Sequence, residues 1–309
     1  MSKTILIITI LIIHLSAFSQ DKEFIASERN QIKSDLNDVL NNIEDNYAYL
    51  IKKNIDIKCL KKKYSVKIKN IKNKNDKILF FEYLLDELYD SHIHLNVAIK
   101  KSYRLYSPVY VVSNNKKTII KNIWQNQITN LDKNIIGAEI IKFNGQNIKT
   151  LIDSFPTVCG DKENQITRNW ITNKILAGRY DEPRNLELKL RNGDHFHLNL
   201  DDLTFKKHKS LLTTDKIENF GIITINNSLG ESALINEFDK ALNTIMQTDG
   251  LIIDLRNTVD GGDSYIARAI MSRFIQKDQP YQKHSYDEYE KGYPKVKRSW
   301  IELVSPRGT

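Results

Sequence analysis

The stretch GLIIDLRNTVDGGDSYIARAIMSRFI, Gly250 to Ile275, decides how this chain is read. Its opening, Gly250 to Arg256, is a short run apolar on both faces, the pattern of a strand covered on two sides. Asn257 to Asp263 follows as a polar loop holding Gly261 and Gly262, and from about Ser264 the spacing of Ile266, Ala269, Ile270 and Phe274 is helical. Ser264 itself stands where a helix cap is expected. Upstream, Gly221 to Ile225 reads as a strand, and Ala233 to Met246 as a helix through Leu234, Phe238, Leu242 and Ile245. Strand, helix and strand in this order imply a parallel pair joined by a crossover. The glycine loop therefore lies at a strand's carboxyl end and a helix's amino end, where unpaired N–H groups favour an anion. A phosphate is disfavoured, because neither a GxxxxGKS/T nor a GxGxxG spacing is present; the oxyanion of an acyl transfer is the other candidate. By itself a Gly-Gly pair reads first as a plain turn.

The middle of the chain is of another character. Val109 to Val112, a turn at Ser113-Asn114-Asn115, and Thr118 to Ile120 give a hairpin signal. In Ile135 to Gly145 two short apolar strands precede an Asn144-Gly145 turn suited to left-handed backbone. This stretch is similar to the G-D-x-I-x-x-I-N-G signature of PDZ-like modules, with Ala138 where Asp is usual; an ordinary hairpin is the alternative. A PDZ-like module would hold a peptide as an added strand. Leu186 to Leu190, an Asn192-Gly193 turn and Phe196 to Leu200 form another hairpin.

Nearer the amino terminus the period is that of helices. Ile32, Leu36, Val39, Leu40, Ile43, Tyr47 and Leu50 lie on one stripe, and Ile78, Phe81, Leu84, Leu85 and Leu88 on a second that ends near Asp90. The lysine-rich segment between them, Lys61 to Lys74, is interleaved with apolar residues as a solvated helical face would be. At the very start, Lys3, an apolar run from Ile5 to Leu15, and Ala17-Phe18-Ser19 read as a secretory signal peptide. The run is shorter than the roughly 20 residues of a spanning helix, and no second candidate span follows, so no integral membrane span is expected after its removal.

The 309 residues carry 46 Lys and Arg against 38 Asp and Glu, a formal charge of +8, but the basic residues are scattered, which argues against nucleic acid as a partner. Cys59 and Cys159 make neither a CxxC motif nor a zinc framework; in an exported chain they either pair or stay as small buried hydrophobes. His92-x-His94 and His195-x-His197 are same-face pairs without an identifiable third ligand, so no metal and no cofactor is expected. His208 and His284 are read with them as ordinary surface or core residues.

Gly250 to Ile275 resembles the strand, glycine loop and helix of the tail-specific, or C-terminal processing, serine peptidases. LLDELYDSHIHL, Leu84 to Leu95, is similar to that family's L-x-D-x-H-x-x-L segment, and the PDZ-like stretch falls between the two, as it often does there. The Ser91-His92 pair resembles the tricorn-like branch, whose base is a histidine. The resemblance implies His92 as general base with Ser91 helping to orient the imidazole, and Gly261 or Gly262 as oxyanion donors. A histidine suits the first role, since a serine hydroxyl is a poor nucleophile until a positioned base takes its proton. The loop Asn257 to Gly262 is about one residue longer than the family's. No GxSxG elbow is present, and the resemblance places the nucleophilic serine beyond Thr309.

The resulting expectation is an α+β multidomain protein, with a signal peptide at 1–19 and a helical part at 24–98. A β-rich PDZ-like region at 104–205 and an incomplete α/β layer of crotonase-like (ClpP/crotonase) kind at 210–309 complete it. The expected function is that of an exported serine-type peptidase, periplasmic or extracellular, acting on polypeptides; the alternative is an inactive peptide- or ligand-binding relative of the same fold. One edge of the last sheet is expected to be open, with poor stability of the isolated chain.

Overall fold

The computed structural model describes residues 27–114, 117–124, 127–258, 261–288 and 292–308. The signal-peptide segment 1–19 lies outside the described residues, as do Asn115 of the first turn and Val259-Asp260 of the glycine loop. The chain divides into two compact units, the first running to Ile123 and including Lys133–Asp202, the second formed by Trp124–Asp132 and the residues from Leu203 onward.

In the first unit helix α1 covers 27–46, α2 Ile57–Lys67, and α3 Lys74–Asp86. Asp56 caps α2 by accepting from the Cys59 N–H, and Asn73 caps α3 by accepting from the Asp76 N–H. The first part of the predicted stripe is what packs: Ile32, Leu36 and Leu40 are buried against Leu60, Tyr64, Phe80 and Leu84, whereas Tyr47 and Leu50 lie past the end of α1. Cys59 and Cys159 form a disulfide, Cα to Cα 6.0 Å, that ties α2 to the loop before α5.

A six-stranded sheet belongs to the same unit: β1 Val109–Asn114, β2 Lys117–Ile123, β3 Glu139–Phe143, β4 Gln146–Asn147, β5 Asn185–Lys189 and β6 His195–Asn199. Its path is β1-β2-β3-β5-β6, antiparallel throughout, with β4 folded back on β3. The Asn144-Gly145 turn has φ of 49° and 76°, the left-handed pair the sequence calls for. The first apolar half of that stretch is different from expectation: Ile135 to Ala138 turns instead of forming a strand, with Gly137 at φ 86°.

Two helices interrupt this β-rich region, α4 Ile148–Asp153 and the longer α5 Gln165–Ala177. α5 runs along the outer edge of β1. The Asn173 side chain accepts from the Val111 N–H (3.0 Å) and donates to the Val111 carbonyl (2.9 Å). One turn earlier Asn169 accepts from the Ser113 N–H (2.6 Å), and another turn earlier Gln165 donates to the Ser113 carbonyl (2.8 Å). Amides spaced by four residues on a helix thus meet alternate residues of a strand, and the β1 edge is closed.

The second unit contains β7 Leu212–Ile217, β8 Phe220–Ile225 and β9 Gly250–Asp254, in that order, with β8 and β9 parallel. Helix α6, Ala233–Thr244, makes the crossover, and Leu234, Phe238 and Leu242 pack on Ile223 and Ile225. Helix α7, Ser264–Met271, adds Ile266 and Ile270 to this core. The reading of Gly250 to Arg256 as covered on both faces is corrected: Ile252 is 50% and Leu255 51% exposed. β9 pairs with β8 alone among the described residues, so its other edge is open there. A long hairpin follows, β10 Gln279–Glu288 and β11 Val296–Val304. Among the described residues no helix is long and apolar enough to cross a membrane.

Candidate functional site

The segment bearing Ser91 and His92 leaves α3 through a sharp turn. Three residues past α3, Tyr89 has φ 47°, a left-handed backbone that costs a bulky side chain energy and persists only where the surroundings hold it. Three contacts hold it here. The Tyr89 ring lies edge-on to Trp170 at 5.5 Å, and Gly160 faces the Tyr89 hydroxyl so closely that a Cβ would sit 2.0 Å from it. The Lys53 ammonium donates to the carbonyls of Leu88 (3.2 Å) and Tyr89 (3.0 Å), placing a cation at the helix's negative end.

The turn delivers Asp90 into a polar cluster. Its Oδ2 accepts from the Tyr47 hydroxyl at 2.6 Å and from Lys53 at 3.0 Å, and its Oδ1 accepts from the His92 N–H at 3.0 Å. Burial works to raise this carboxyl, but the hydrogen bonds from Tyr47, the His92 amide and Lys53, with the lysine's charge, bring it down to about 2. The His92 Nδ1 stands 3.6 Å from Asp90 Oδ1, and its side chain is 98% exposed, so the imidazole is open to a substrate from solvent. Ser91 is exposed too, and among the described hydrogen bonds its hydroxyl has none; the group beside the imidazole is Asp90. A cavity of about 780 Å³ opens next to this turn, lined by Tyr49, Lys53, Asp56, Tyr89, His92 and Cys159 among others.

Below it, Glu87 is 2% exposed and takes the Val158 N–H (2.6 Å) and the Cys159 N–H (3.0 Å), one on each oxygen. The Tyr64 hydroxyl donates to the Tyr83 carbonyl at 2.7 Å and to Glu87 Oε1 at 3.0 Å. Glu87 therefore fixes the loop that carries Cys159 to the C-terminal end of α3.

The two glycines fall in the second unit, between β9 and α7. Gly262 lies against the 226–230 loop, where a Cβ would come within 2.2 Å of the Ser228 carbonyl oxygen, so no side chain fits. Among the described residues Gly261 has no heavy atom within 4 Å of such a position, and both glycines are exposed. Among the described backbone hydrogen bonds neither glycine N–H donates, whereas the next amide, Asp263, donates to the Leu229 carbonyl at 3.0 Å. The cap of α7 is Asp263, whose side chain accepts from the Tyr265 N–H; Ser264 is the helix's first residue, which corrects its reading as the cap.

His195 lies 3.7 Å from Glu187, and His284 stacks on Trp300 at 4.5 Å. Among the described residues no group of His, Cys, Asp or Glu is arranged to hold a metal ion. No site role for Asp90, Tyr47 or Lys53 follows from the sequence reading above. Asp90 was available there as the acidic member of the Asp90-Ser91-His92 string, whereas Tyr47 and Lys53 reach it from 43 and 37 residues away.

Residues 28–87 match the family described as Tricorn protease C1 domain. No curated protein matches the chain. Among solved structures, mature CPAF is similar at 12% identity and a TM-score of 0.48, over 83% of this chain and 60% of that one. A CPAF mutant gives 13%, 0.48, 83% and 61% for the same quantities. The photosystem II D1 C-terminal processing protease is similar at 11% identity and a TM-score of 0.45, over 91% of this chain and 71% of that one. This chain thus spans about three fifths of the length of the CPAF structures.

Proposed function

We propose that this chain is part of an exported serine-type peptidase of the tail-specific, tricorn-like kind, with His92 as general base. The observation that carries the reading is the Tricorn protease C1 match over 28–87, which ends just before a solvent-open imidazole set beside the Asp90 carboxylate. In the proposed reaction His92 takes the proton of a serine hydroxyl as that oxygen attacks a peptide carbonyl. It then returns the proton to the departing amine. The Gly261 and Gly262 amides, which precede the Asp263 cap of α7, are the proposed donors to the tetrahedral oxyanion. The nucleophile is proposed to lie outside residues 1–309.

The substrate class is polypeptide, and a PDZ-like role for the six-stranded sheet belongs to the same proposal. Strand addition at β1 would have to displace the amides of Gln165, Asn169 and Asn173, so a peptide held by the sheet needs another edge or movement of α5. The crotonase-like assignment of the second unit is supported by its parallel β8–β9 pair and crossover helix. Export is supported by the disulfide, a bond that persists in oxidising compartments.

The test is hydrolysis of an unfolded protein by the product of the whole coding frame that contains these residues, beside its His92→Ala variant. Loss of about 100-fold or more in the variant is expected for a general base. Hydrolysis that survives the substitution contradicts the reading. A folded product that binds peptides without cleaving them would instead establish the binding relative.

A further inference from the structure

We propose that Asp90 is the positioning residue of this site: anchored through Oδ2 by Tyr47 and Lys53, it holds the His92 imidazole through Nδ1. The inference rests on the reading of His92 as general base and adds to it the group that acts through that base.

The two carboxylate oxygens face different partners, and this division is what gives the arrangement direction. Oδ2 is taken by the Tyr47 hydroxyl and the Lys53 ammonium, at 2.6 and 3.0 Å. Among the described contacts Oδ1 faces His92 alone, accepting its backbone N–H at 3.0 Å with Nδ1 at 3.6 Å. The backbone bond fixes the spacing of the two residues, so rotation of the ring is the main freedom left between them. At 3.6 Å the contact is longer than a hydrogen bond, and loosely set pairs of this kind tighten when a substrate excludes water.

A carboxylate facing Nδ1 favours the tautomer with its proton on that nitrogen, which leaves the lone pair on Nε2 to accept a proton. The carboxylate itself keeps its charge throughout. One of its anchors also shapes the backbone: Lys53 holds the Leu88 and Tyr89 carbonyls, so one ammonium contributes both to the left-handed turn at Tyr89 and to the orientation of Asp90.

The experiment is nitrogen-15 NMR of the histidine side chains in the full chain, at about pH 8.5 where an ordinary imidazole is neutral. His92 is assigned by its disappearance in His92→Gln. The expected result is an Nδ1–H population for His92 that exceeds that of the exposed His94, with the Nδ1–H to Nε2–H ratio falling about threefold or more in Asp90→Asn. Tyr47→Phe, which keeps the carboxylate and removes one anchor, is expected to give a smaller change in the same direction, and Asp90→Glu to restore part of the ratio. A His92 tautomer ratio equal to that of His94, or one unmoved by Asp90→Asn in a folded chain, overturns the proposal. No substrate enters this measurement, so its failure is distinct from a failure of the peptidase reading, which the hydrolysis of the His92→Ala variant decides.

Discussion

Asp86 and Lys174 meet at 3.1 Å, the carboxylate on α3 and the ammonium on α5, with side-chain exposures of 3% and 13%. The ammonium also sits over the rings of Tyr103 and Trp170, at 5.6 and 5.7 Å, while Asp86 Oδ2 has no hydrogen-bond partner among the described residues. A buried carboxylate served by one cation is strongly dependent on it. Lys174→Met is expected to destabilise the chain by about 3 to 5 kcal/mol in urea unfolding, and Asp86→Asn/Lys174→Met to recover part of that loss. A single variant within about 1 kcal/mol of wild type, roughly a fivefold change in the folding equilibrium, would show that the pair is unimportant.

The same pair sets a pH dependence. Burial raises the Asp86 carboxyl, against the pull of Lys174, to about 6. Its folded value lies above the unfolded one, so the folded state holds the extra proton between about pH 4 and 6, and stability falls as pH rises through that window. Asp90 works in the opposite sense: with a folded value of about 2, its contribution is present above about pH 4 and is lost as pH falls toward 2. Stability curves of wild type and Asp86→Asn should therefore converge toward about pH 4 and separate toward about pH 6.5, the wild type losing up to about 3 kcal/mol relative to the variant. Parallel curves across that range would contradict the assignment.

Glu87 and the disulfide brace one loop. Glu87→Gln leaves only one carbonyl oxygen for two amides and is expected to cost about 2 to 3 kcal/mol. The disulfide joins residues 100 apart in sequence, and closing a loop of that length is worth about 4 to 5 kcal/mol in the chain-entropy picture. Thermal unfolding with and without a reducing agent should show a large drop for wild type and none for Cys59→Ala/Cys159→Ala. Equal midpoints for the oxidised and reduced wild type would mean that the bridge braces nothing.

Asn173 gives the β1 edge two hydrogen bonds. Asn173→Ala is expected to cost about 2 kcal/mol and to speed hydrogen exchange at the Val111 amide more than at amides of β5. Unchanged exchange at Val111 would show that the helix amides are not what closes this edge.

How much of this was legible in the sequence depends on whether an element announces itself by burial. α1 did, because Ile32, Leu36 and Leu40 repeat at the helical period and are buried on it. The β8–α6–β9 crossover did for the same reason. α5 did not: its polar stripe of Gln165, Asn169 and Asn173 is spent on the backbone of β1, which no periodicity of apolar residues records. β10 and β11 escaped because most of their side chains are exposed, with Trp300 and Ile301 open alike, so no alternation marks an inner face. Gly250 to Leu255 misled in the other direction, since apolarity on both faces states what a strand can cover and not what covers it. At the site, His92 was visible through a motif of contiguous residues, whereas the Tyr47 and Lys53 contacts exist only once α1 and α3 are packed together.

Everything proposed for the site depends on His92 activating a serine, and a fluorophosphonate reagent reads this directly, because it bonds only to serines made nucleophilic by a neighbouring base. The measurement is mass spectrometry of the labelled product of the whole coding frame and of its His92→Ala variant. A serine adduct outside residues 1–309 that is lost in the variant is the expected outcome; an adduct that persists without His92, or none on a folded product, would contradict it.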